Sequence, residues 1–244
     1  MDQISVLAAS GMRARLQTLD LLANNMANSS TNGYKADGEF YSLYTSESAA
    51  GELNDPAATV PMIERQWTDF TQGLLETTNN PFDFGLSGKG FFVANGPSGP
   101  LYTRNGTFHV SNDGTLLTTD NYPLLDQNNL PITTELNVPI KVAQDGTIYQ
   151  RDQVLTQLKI VNFKDTSALV KQGSTYFKNT TDQKPVDATD VEVHQGQIED
   201  ANTSPAKGAV RLVNIMRQFE IMQKAVSISN EMGQKAIQEV ARVS

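Results

Sequence analysis

The last forty residues carry the pattern that most constrains the fold of this chain. Between Leu212 and Val240, apolar and small residues recur at alternating steps of three and four, which is coiled-coil spacing. The stripe consists of Leu212, Ile215, Phe219, Met222, Val226, Ser229, Gly233, Ala236 and Val240. A second stripe beside it consists of Ile221, Ala225, Ile228 and Met232. Because a two-stranded coil needs only one stripe, the pattern predicts a helix over 205–244 with partners on two sides.

A shorter stripe at the N-terminus predicts a second helix over residues 2–28. Its apolar positions also follow steps of three and four: Met12, Leu16, Leu19, Ala23 and Met26. An Asn- and Ser-rich segment from Asn28 to Gly33 then ends the helix, and Gly33 is predicted to adopt the left-handed backbone conformation common at helix ends. If the two helices pair, they close a long loop, whose entropic cost grows only slowly with loop length.

The middle of the chain reads as a sheet. Short apolar or β-branched runs are separated by Asn-Gly and Asp-Gly pairs, which are strong hairpin signals. The runs are 91–94, 101–104, 108–111, 116–118 and 147–149, and the turn pairs begin at Asn95, Asn105, Asp113 and Asp145. The predicted fold class is therefore α+β, with N- and C-terminal helices forming a coiled-coil-like helical domain and a mainly antiparallel β domain inserted between them. The predicted domains are a discontinuous helical polymerisation domain (1–35 and 200–244), a connector (36–80) and a β-rich domain (81–199).

Composition excludes several classes of function. The net charge is −8, and the middle of the chain is the acidic part, which argues against nucleic acid as a partner. The absence of cysteine removes disulfides, zinc–thiolate sites and thiol nucleophiles. No apolar run reaches the roughly 18–20 residues that span a bilayer, so membrane insertion is not expected. Asp2 and the short apolar stretch Ile4–Ala9 do not fit a cleaved secretory signal.

No constellation of catalytic or ligand-binding residues stands out. His109 and His194 have no acid–base partner at a recognisable spacing, and Asp113 and Asp145 are better explained as turn residues than as calcium ligands. Lys89 and Arg104 are interpreted as surface bases. We predict no catalytic residue, metal or cofactor. Two alternatives stay open: a secreted β-domain binding module, which should show an exposed aromatic groove although the only tryptophan is Trp67, and a hydrolase with an unfamiliar site.

Three segments resemble the flagellar rod and hook family. The first is Ala-Asn-Asn-Met-Ala-Asn at 23–28, followed by Thr-Asn-Gly-Tyr-Lys at 31–35. The second runs from Leu-Ser-Gly-Lys-Gly-Phe-Phe-Val at 86–93 through Tyr-Thr-Arg-Asn-Gly at 102–106 and Asp-Gly at 113–114. The third is the Arg217, Phe219 and Glu220 element in the last helix. Before that helix, where the family usually has a Ser-Asn-Val type sequence, residues 199–205 match less well.

The resemblance implies a structural axial subunit of the flagellar basal-body rod rather than an enzyme. It implies export without a cleaved signal through the flagellar type III apparatus, and assembly with other rod subunits into a helical tube that crosses the periplasm and transmits torque from motor to hook. The length and the atypical 199–205 segment favour a proximal over a distal rod subunit. We expect the paired terminal helices to form the inner layer of the tube, with the β domain outside.

The predicted assembly interface follows from the two stripes and the family motifs. It comprises Met12, Leu16, Leu19, Ala23, Asn24, Asn25, Met26, Asn28, Gly33, Leu212, Ile215, Arg217, Phe219, Glu220, Met222, Val226, Ile228 and Met232.

Overall fold

The computed structural model describes residues 3–45 and 59–243, so residues 46–58 of the predicted connector lie outside the described part. Two long helices, α1 (Gln3–Ala27) and α2 (Pro205–Val243), stand at the two ends of this part of the chain, with seventeen strands between them. The strands are β1 (Asp37–Thr45), β2 (Thr59–Thr68), β3 (Leu75–Thr77), β4 (Phe84–Gly88), β5 (Phe91–Gly96), β6 (Gly99–Thr103), β7 (Phe108–Val110), β8 (Leu116–Thr118), β9 (Ile140–Val142), β10 (Thr147–Gln150), β11 (Gln153–Gln157), β12 (Ile160–Asn162), β13 (Leu169–Gln172), β14 (Tyr176–Asn179), β15 (Val186–Asp187), β16 (Val191–Gln195) and β17 (Gln197–Glu199). None of the described helices is both long and apolar enough to cross a membrane.

The chain divides into two compact units. The terminal unit comprises the described parts of 1–27, 37–67 and 204–244, and the β unit comprises 28–36 and 68–203. The chain therefore passes from one unit to the other at four places. Three of these lie within the first 68 residues.

The predicted fold class is wrong in two respects. Strand structure dominates the described chain, and the unit that contains α1 and α2 also contains the two-stranded sheet β1–β2, so the chain ends do not form a purely helical domain with one β insertion. Coiled-coil packing is not shown either. The buried line on α1 is Gly11, Ala14, Thr18, Leu22 and Asn25, which is mostly small or polar, whereas a coiled coil needs large apolar side chains at these positions. Small side chains allow close approach of two backbones without interlocking side chains.

In the terminal unit α1 and α2 lie antiparallel. A Cβ built on Gly11 would lie 3.2 Å from the Met222 sulfur, and one built on Gly208 would lie 2.6 Å from Met26 Cγ. Positions on the two helices therefore oppose each other when their residue numbers add up to about 233. On α2, Ile215 is buried on this face and Phe219 is partly buried. The side chains of Ala236 and Val240, at the end of the predicted stripe, lie outside the described part.

The β unit is built around a six-stranded sheet in the order β13-β14-β6-β5-β12-β15. All five pairs of neighbouring strands in this sheet are antiparallel. Successive side chains of a strand point to opposite faces, and β5 shows this alternation. Phe92 packs into a cluster with Phe84 and Phe108, while Phe91 packs into another with Phe177. The strand is thus covered on both faces, and each buried aromatic ring contributes roughly 1.5–3 kcal/mol.

The hairpin predictions are partly confirmed. Asp113-Gly114 connects β7 to β8, and Asp145-Gly146 connects β9 to β10, with both glycines at positive φ. Asn95-Gly96 forms the end of β5, one step before the turn into β6. Asn105-Gly106 does not close a hairpin, because β6 pairs with β5 and β14 while β7 pairs with β8.

Candidate functional site

The outer face of α2 carries a row of exposed apolar side chains. Val210, Ile221, Ile228 and Met232 are each more than half exposed, at 66%, 66%, 57% and 67%, and Val213 is 50% exposed. Because residues of a helix are spaced by about 100°, positions two apart lie on nearly opposite faces, so Ile221 and Ile228 point away from the side on which Phe219 and Val226 pack. We call Val210, Val213, Ile221, Ile228 and Met232 the α2 outward stripe. The second predicted stripe thus lies across the helix from the first.

The apolar stripe predicted on α1 is also turned outward. Leu16 is 50% exposed, Ala23 is exposed, and Met12 and Leu19 are only partly buried. These four residues are the α1 outward stripe. The face that packs on α2 is the neighbouring line through Ala14, Thr18 and Leu22. The periodicity of apolar residues does not identify this face, because the face contains the polar residues Thr18 and Asn25.

The other predicted interface residues fall into three groups. Asn24, Arg217 and Glu220 are exposed; Met26, Asn28, Leu212, Met222 and Val226 are partly buried; Asn25, Gly33 and Ile215 are buried. In the terminal unit the buried Asn25 has a structural role. Its amide donates to Asp37 O at 2.8 Å and its carbonyl oxygen accepts from Asp37 N at 2.9 Å, so α1 holds the first residue of β1 as a neighbouring strand would.

Arg211 and Glu39 link α2 to β1 in this unit, as Asn25 links α1 to β1. The Arg211 guanidinium donates to Glu39 Oε1 at 3.2 Å, and the Glu39 side chain is 2% exposed while that of Arg211 is 55% exposed. Neither residue belongs to a predicted stripe or motif. The two residues are 172 positions apart in the sequence, so no local sequence pattern could have predicted their contact.

A buried ion cluster lies in the β unit, and we call Lys35, Arg104 and Glu199 the clasp. Lys35 Nζ lies 2.5 Å from Glu199 Oε1, and Arg104 Nε lies 2.9 Å from Glu199 Oε2 without the alignment of a hydrogen bond. The three side chains are at most 4% exposed. Lys35 follows α1, Arg104 follows β6 and Glu199 ends β17, so the clasp joins three distant segments of the sequence.

Backbone groups form further hydrogen bonds to the charged side chains of the clasp. Arg104 donates to Gly90 O at 2.9 Å and to Gly88 O at 2.8 Å, and Lys35 donates to Thr71 O at 2.7 Å. Gly73 N donates to Glu199 Oε1 at 2.8 Å. Burial lowers the pKa of Lys35 and of Arg104 by desolvating their charges, while the attraction of Glu199 opposes this shift. Two buried cations share one buried carboxylate, so carbonyl dipoles must help to compensate the charge.

Gly33 and Asn202 fix the chain beside the clasp. Gly33 has φ +70°, which confirms its predicted left-handed conformation, and its N–H donates to Glu199 O at 2.6 Å. A Cβ on Gly33 would lie 2.2 Å from Asn105 N, so the position excludes other residues by contact as well as by backbone conformation. Asn202 accepts from Ala36 N at 2.8 Å and donates to Asp69 O at 2.7 Å.

Within the β unit, the clasp and its neighbours therefore hold together the segments around residues 33–36, 69–73 and 199–202. All four places at which the chain passes between the units are within ten residues of one of these segments. The interpretation of Arg104 as a surface base is wrong, because the residue is 3% exposed, whereas Lys89 is exposed as expected. Glu199 was missed as a functional residue. The sequence holds no local signal for it, because a base in a motif shows neither that the base is buried nor which acid pairs with it.

Other polar residues have structural explanations. Asp145 accepts from Thr147 N and Thr147 Oγ1, both at 2.9 Å, and Asp113 accepts from Ser111 and Thr115, which confirms both as turn residues. These bonds lower the pKa of both carboxyls. His109 is exposed, and His194 lies 3.7 Å from the exposed Glu192. Among the described residues, no group of three or more His, Cys, Asp or Glu side chains could hold a metal ion.

Three regions of the chain match known protein families. Residues 7–35 match the family described as flagella basal body rod protein, residues 85–150 match the flagellar hook protein FlgE/F/G D1 domain, and residues 194–239 match the flagellar basal body rod FlgEFG protein C-terminal family. Each clasp residue lies in a different one of these regions. Lys35 is the last position of the first region, Arg104 lies in the second and Glu199 lies in the third. The first match ends at residue 35 and the third begins five residues before Glu199.

Full-length relatives extend the match over the whole chain. The chain is 28% identical to the flagellar basal-body rod protein FlgF of Caulobacter vibrioides over 100% of both chains. It is 29% identical to FlgF of Mesorhizobium japonicum, covering 92% of this chain and 93% of the relative. It is 31% identical to the flagellar basal-body rod protein FlgG of Agrobacterium fabrum, covering 93% of this chain and 95% of the relative.

A terminal unit with exposed apolar stripes, attached to a well-packed β unit, defines a structural subunit built for assembly. The chain belongs to the flagellar basal-body rod protein family, and it is a structural subunit of the rod. The resemblance noted in the sequence motifs is thereby confirmed.

Proposed function

We propose that the chain is the proximal rod subunit, that it catalyses no reaction, and that it polymerises with other axial subunits through segments 1–35 and 200–244. In the assembled rod the terminal helices form the inner layer and transmit torque from motor to hook. The observation that supports this most directly is the α2 outward stripe. Exposed apolar patches on soluble proteins mark interaction sites, and this stripe places five large, exposed apolar side chains on one side of α2.

The remaining interface residues fit the same proposal. Arg217 and Glu220 are exposed beside the α2 outward stripe, at positions where charged groups can select a partner and fix register. The α1 outward stripe offers apolar side chains to a neighbour, and Ala23 and Asn24 are exposed on the family motif. By contrast, Asn25 and Gly33 act inside the subunit, so their contribution to assembly is to shape the terminal segments.

Charge substitution on the α2 outward stripe tests assembly. Ile228→Asp should prevent polymerisation, because burying an unpaired carboxylate at a subunit contact costs several kcal/mol. Gln223→Asp is the matched control, since Gln223 is exposed on the same helix and lies off the stripe. Sedimentation of the purified proteins and motility of cells carrying only the variant are the measurements. Normal motility with Ile228→Asp would contradict the proposal, and unchanged far-UV circular dichroism in both variants would show that the monomer is intact.

The distal rod is the second candidate, because the relative from Agrobacterium fabrum at 31% identity is a FlgG protein. A label attached to an exposed residue of the β unit, such as Lys89, distinguishes the two positions in isolated basal bodies. Label at the motor end of the rod supports the proximal assignment, and label beside the hook supports the distal one.

We further propose that the chain reaches the rod through the flagellar type III apparatus, without a cleaved signal and without membrane insertion. The match of residues 7–35 to the family described as flagella basal body rod protein supports this route. Mass spectrometry of subunits recovered from rods should give the mass of the uncleaved N-terminal peptide. A shortened N-terminus would argue for a processed signal instead.

A further inference from the structure

Two short segments of the β unit, residues 33–36 and 69–73, are hydrogen-bonded to each other, and we call them together the strap. Phe70, in the second segment, packs edge-on against Phe91 and Phe177, with ring centroids 5.5 and 5.0 Å away. Phe91 and Phe177 belong to one of the two buried clusters of this unit. The strap therefore covers part of a core cluster.

The first segment of the strap is buried against the edge of the six-stranded sheet. Tyr34 and Lys35 are both 0% exposed. Lys171, on the edge strand β13, places its Nζ 4.4 Å from the centroid of the Tyr34 ring and donates to Lys35 O at 2.7 Å. The first segment thus belongs to the folded β unit, although most of this unit follows it in the sequence by more than thirty residues.

Two residues near the end of the β unit hold both segments of the strap. The backbone oxygen of Glu199 accepts from Gly33 N at 2.6 Å, and its carboxylate accepts from Gly73 N at 2.8 Å. The side chain of Asn202 accepts from Ala36 N at 2.8 Å and donates to the second segment at 2.7 Å. Each of these two residues therefore bridges the two segments.

The charges of the clasp make closure of the strap depend on Glu199. Closing the strap takes the Lys35 ammonium out of water, and Arg104 is already a buried positive charge beside it. Burial of a charge without a partner is strongly unfavourable. Glu199 supplies the opposite charge to both bases, at 2.5 and 2.9 Å. Without this carboxylate the strap has to bury a second cation next to the first.

The contacts that hold the strap are long-range, whereas the hairpins of the β unit are local. Lys35 and Glu199 are 164 positions apart. Strands β5 and β6 are joined by a tight turn between Gly96 and Gly99, and β7 and β8 also follow each other directly in the sequence. Local contacts form faster because they need less loop closure. We therefore expect the hairpins to form before the strap can dock.

We propose that the clasp makes docking of the strap the last step in the folding of the β unit, a step that waits for residues 197–202. Every chain is synthesised from its N-terminus, so the segment directly after α1 stays open until nearly the whole β unit exists. An incomplete chain that lacks Glu199 keeps this segment open, and a chain that reaches Asn202 can fix it. The clasp thereby restricts the closed form of residues 33–36 to chains whose β unit is complete.

Pulse-labelling hydrogen exchange during refolding of the full chain from urea tests the order of steps. The amides of Gly33, Ala36 and Gly73 report on the strap, because each donates a hydrogen bond only when the strap is closed. We expect the β5 and β6 amides to become protected at least about tenfold faster than these three. Equal rates of protection in the strap and in β5 would overturn the proposal.

Glu199→Gln tests the role of the clasp. It should leave the protection rate of the β5 and β6 amides within about twofold and slow that of the strap amides by at least about tenfold, because Glu199 takes no part in the first step. Glu192→Gln, the same change at an exposed glutamate, should leave both rates within about twofold. If the strap of Glu199→Gln never closes, protected β5 amides beside open strap amides still support the proposal. Loss of protection in β5 as well, or equal slowing of both steps, would overturn it.

A double variant separates the effect of charge from that of packing. Lys35→Met removes the charge that has to be buried, so Lys35→Met combined with Glu199→Gln should close the strap faster than Glu199→Gln alone, by at least about threefold. The same slow closure in both chains would show that the charge of Lys35 does not control the step, and the proposed role of the clasp would be wrong.

Discussion

At the scale of single residues, the clasp shows how charge is tolerated inside this protein. Lys35 and Arg104 are both buried beside the single carboxylate of Glu199, and the lowered pKa of each base records the cost of removing its charge from water. The backbone carbonyls of Thr71, Gly88 and Gly90 take up the remaining donors. The cluster therefore depends on its one anion more than on either of its cations.

This asymmetry gives a prediction for stability. Glu199→Gln should lower the free energy of unfolding of the β unit by about 3–5 kcal/mol, because it removes the carboxylate that the two buried cations share. Lys35→Met should lower the free energy of unfolding by less, since the remaining Arg104–Glu199 ion pair has no net charge. Glu192→Gln is the control, an identical change at an exposed glutamate of the same unit, and should stay within about 0.5 kcal/mol. Urea titrations followed by hydrogen exchange of the β5 and β6 amides measure all three, because the only tryptophan, Trp67, lies in the terminal unit. Equal losses for Glu199→Gln and Lys35→Met would refute the uneven charge balance.

Gly33 provides a second prediction at this scale. Gly33→Ala combines the strain of a positive φ, on the order of 1 kcal/mol, with a clash against the backbone of Asn105. Gly173→Ala isolates the first effect, because Gly173 has φ +81° and nothing within 4 Å of a built Cβ. We expect Gly33→Ala to destabilise the β unit by clearly more than Gly173→Ala. If the two variants unfold at the same urea concentration, the close approach at Gly33 has no energetic consequence.

At the scale of elements, the sequence predicted both helices and five of the seventeen described strands, but not which face of α1 packs. The runs at 91–94, 101–104, 108–111, 116–118 and 147–149 correspond to β5, β6, β7, β8 and β10, because turn dipeptides and apolar alternation act locally. Strands β1 and β2 were missed, since their mixed polar and aromatic sequence gives no clear alternation. The clasp could not be predicted, because its members are brought together only by the tertiary fold.

The two faces of α1 can be separated by substitution. Leu22 is 5% exposed on the face toward α2, and Leu16 is 50% exposed on the α1 outward stripe. Leu22→Asp should reduce the helical circular dichroism of the isolated subunit, because a buried carboxylate opposes the pairing of α1 with α2. Leu16→Asp should leave that signal unchanged and reduce sedimentation of the assembled form. The reverse assignment of effects would mean that the periodicity of the sequence, rather than the structure, identifies the packing face.

At the scale of the whole molecule, stability is unevenly distributed between the two units. Among the described residues, the buried apolar side chains of the terminal unit are Ala14, Leu22 and Ile215, whereas the β unit buries two aromatic-rich clusters. Each buried apolar side chain contributes roughly 1.5–3 kcal/mol, and isolated helices are marginal in water. We therefore expect the terminal unit alone to be the weaker of the two, and we expect its exposed stripes to be buried only in an assembly.

Hydrogen exchange on the dilute monomer measures this difference. Amides in the interior of α1 and α2 should exchange orders of magnitude faster than those of β5, β6 and β14, because opening the terminal unit exposes little apolar surface whereas opening the β unit exposes both of its clusters. In sedimented assemblies the helices should become protected, while the exchange of β5 should hardly change. Glu199→Gln, which weakens the β unit alone, serves as the internal control. In the monomer it should reduce the difference in exchange rate between the helix amides and the strand amides. Helix amides as protected as β5 in a proven monomer would show that α1 and α2 already form a stable core, and assembly would then occur between preformed helices.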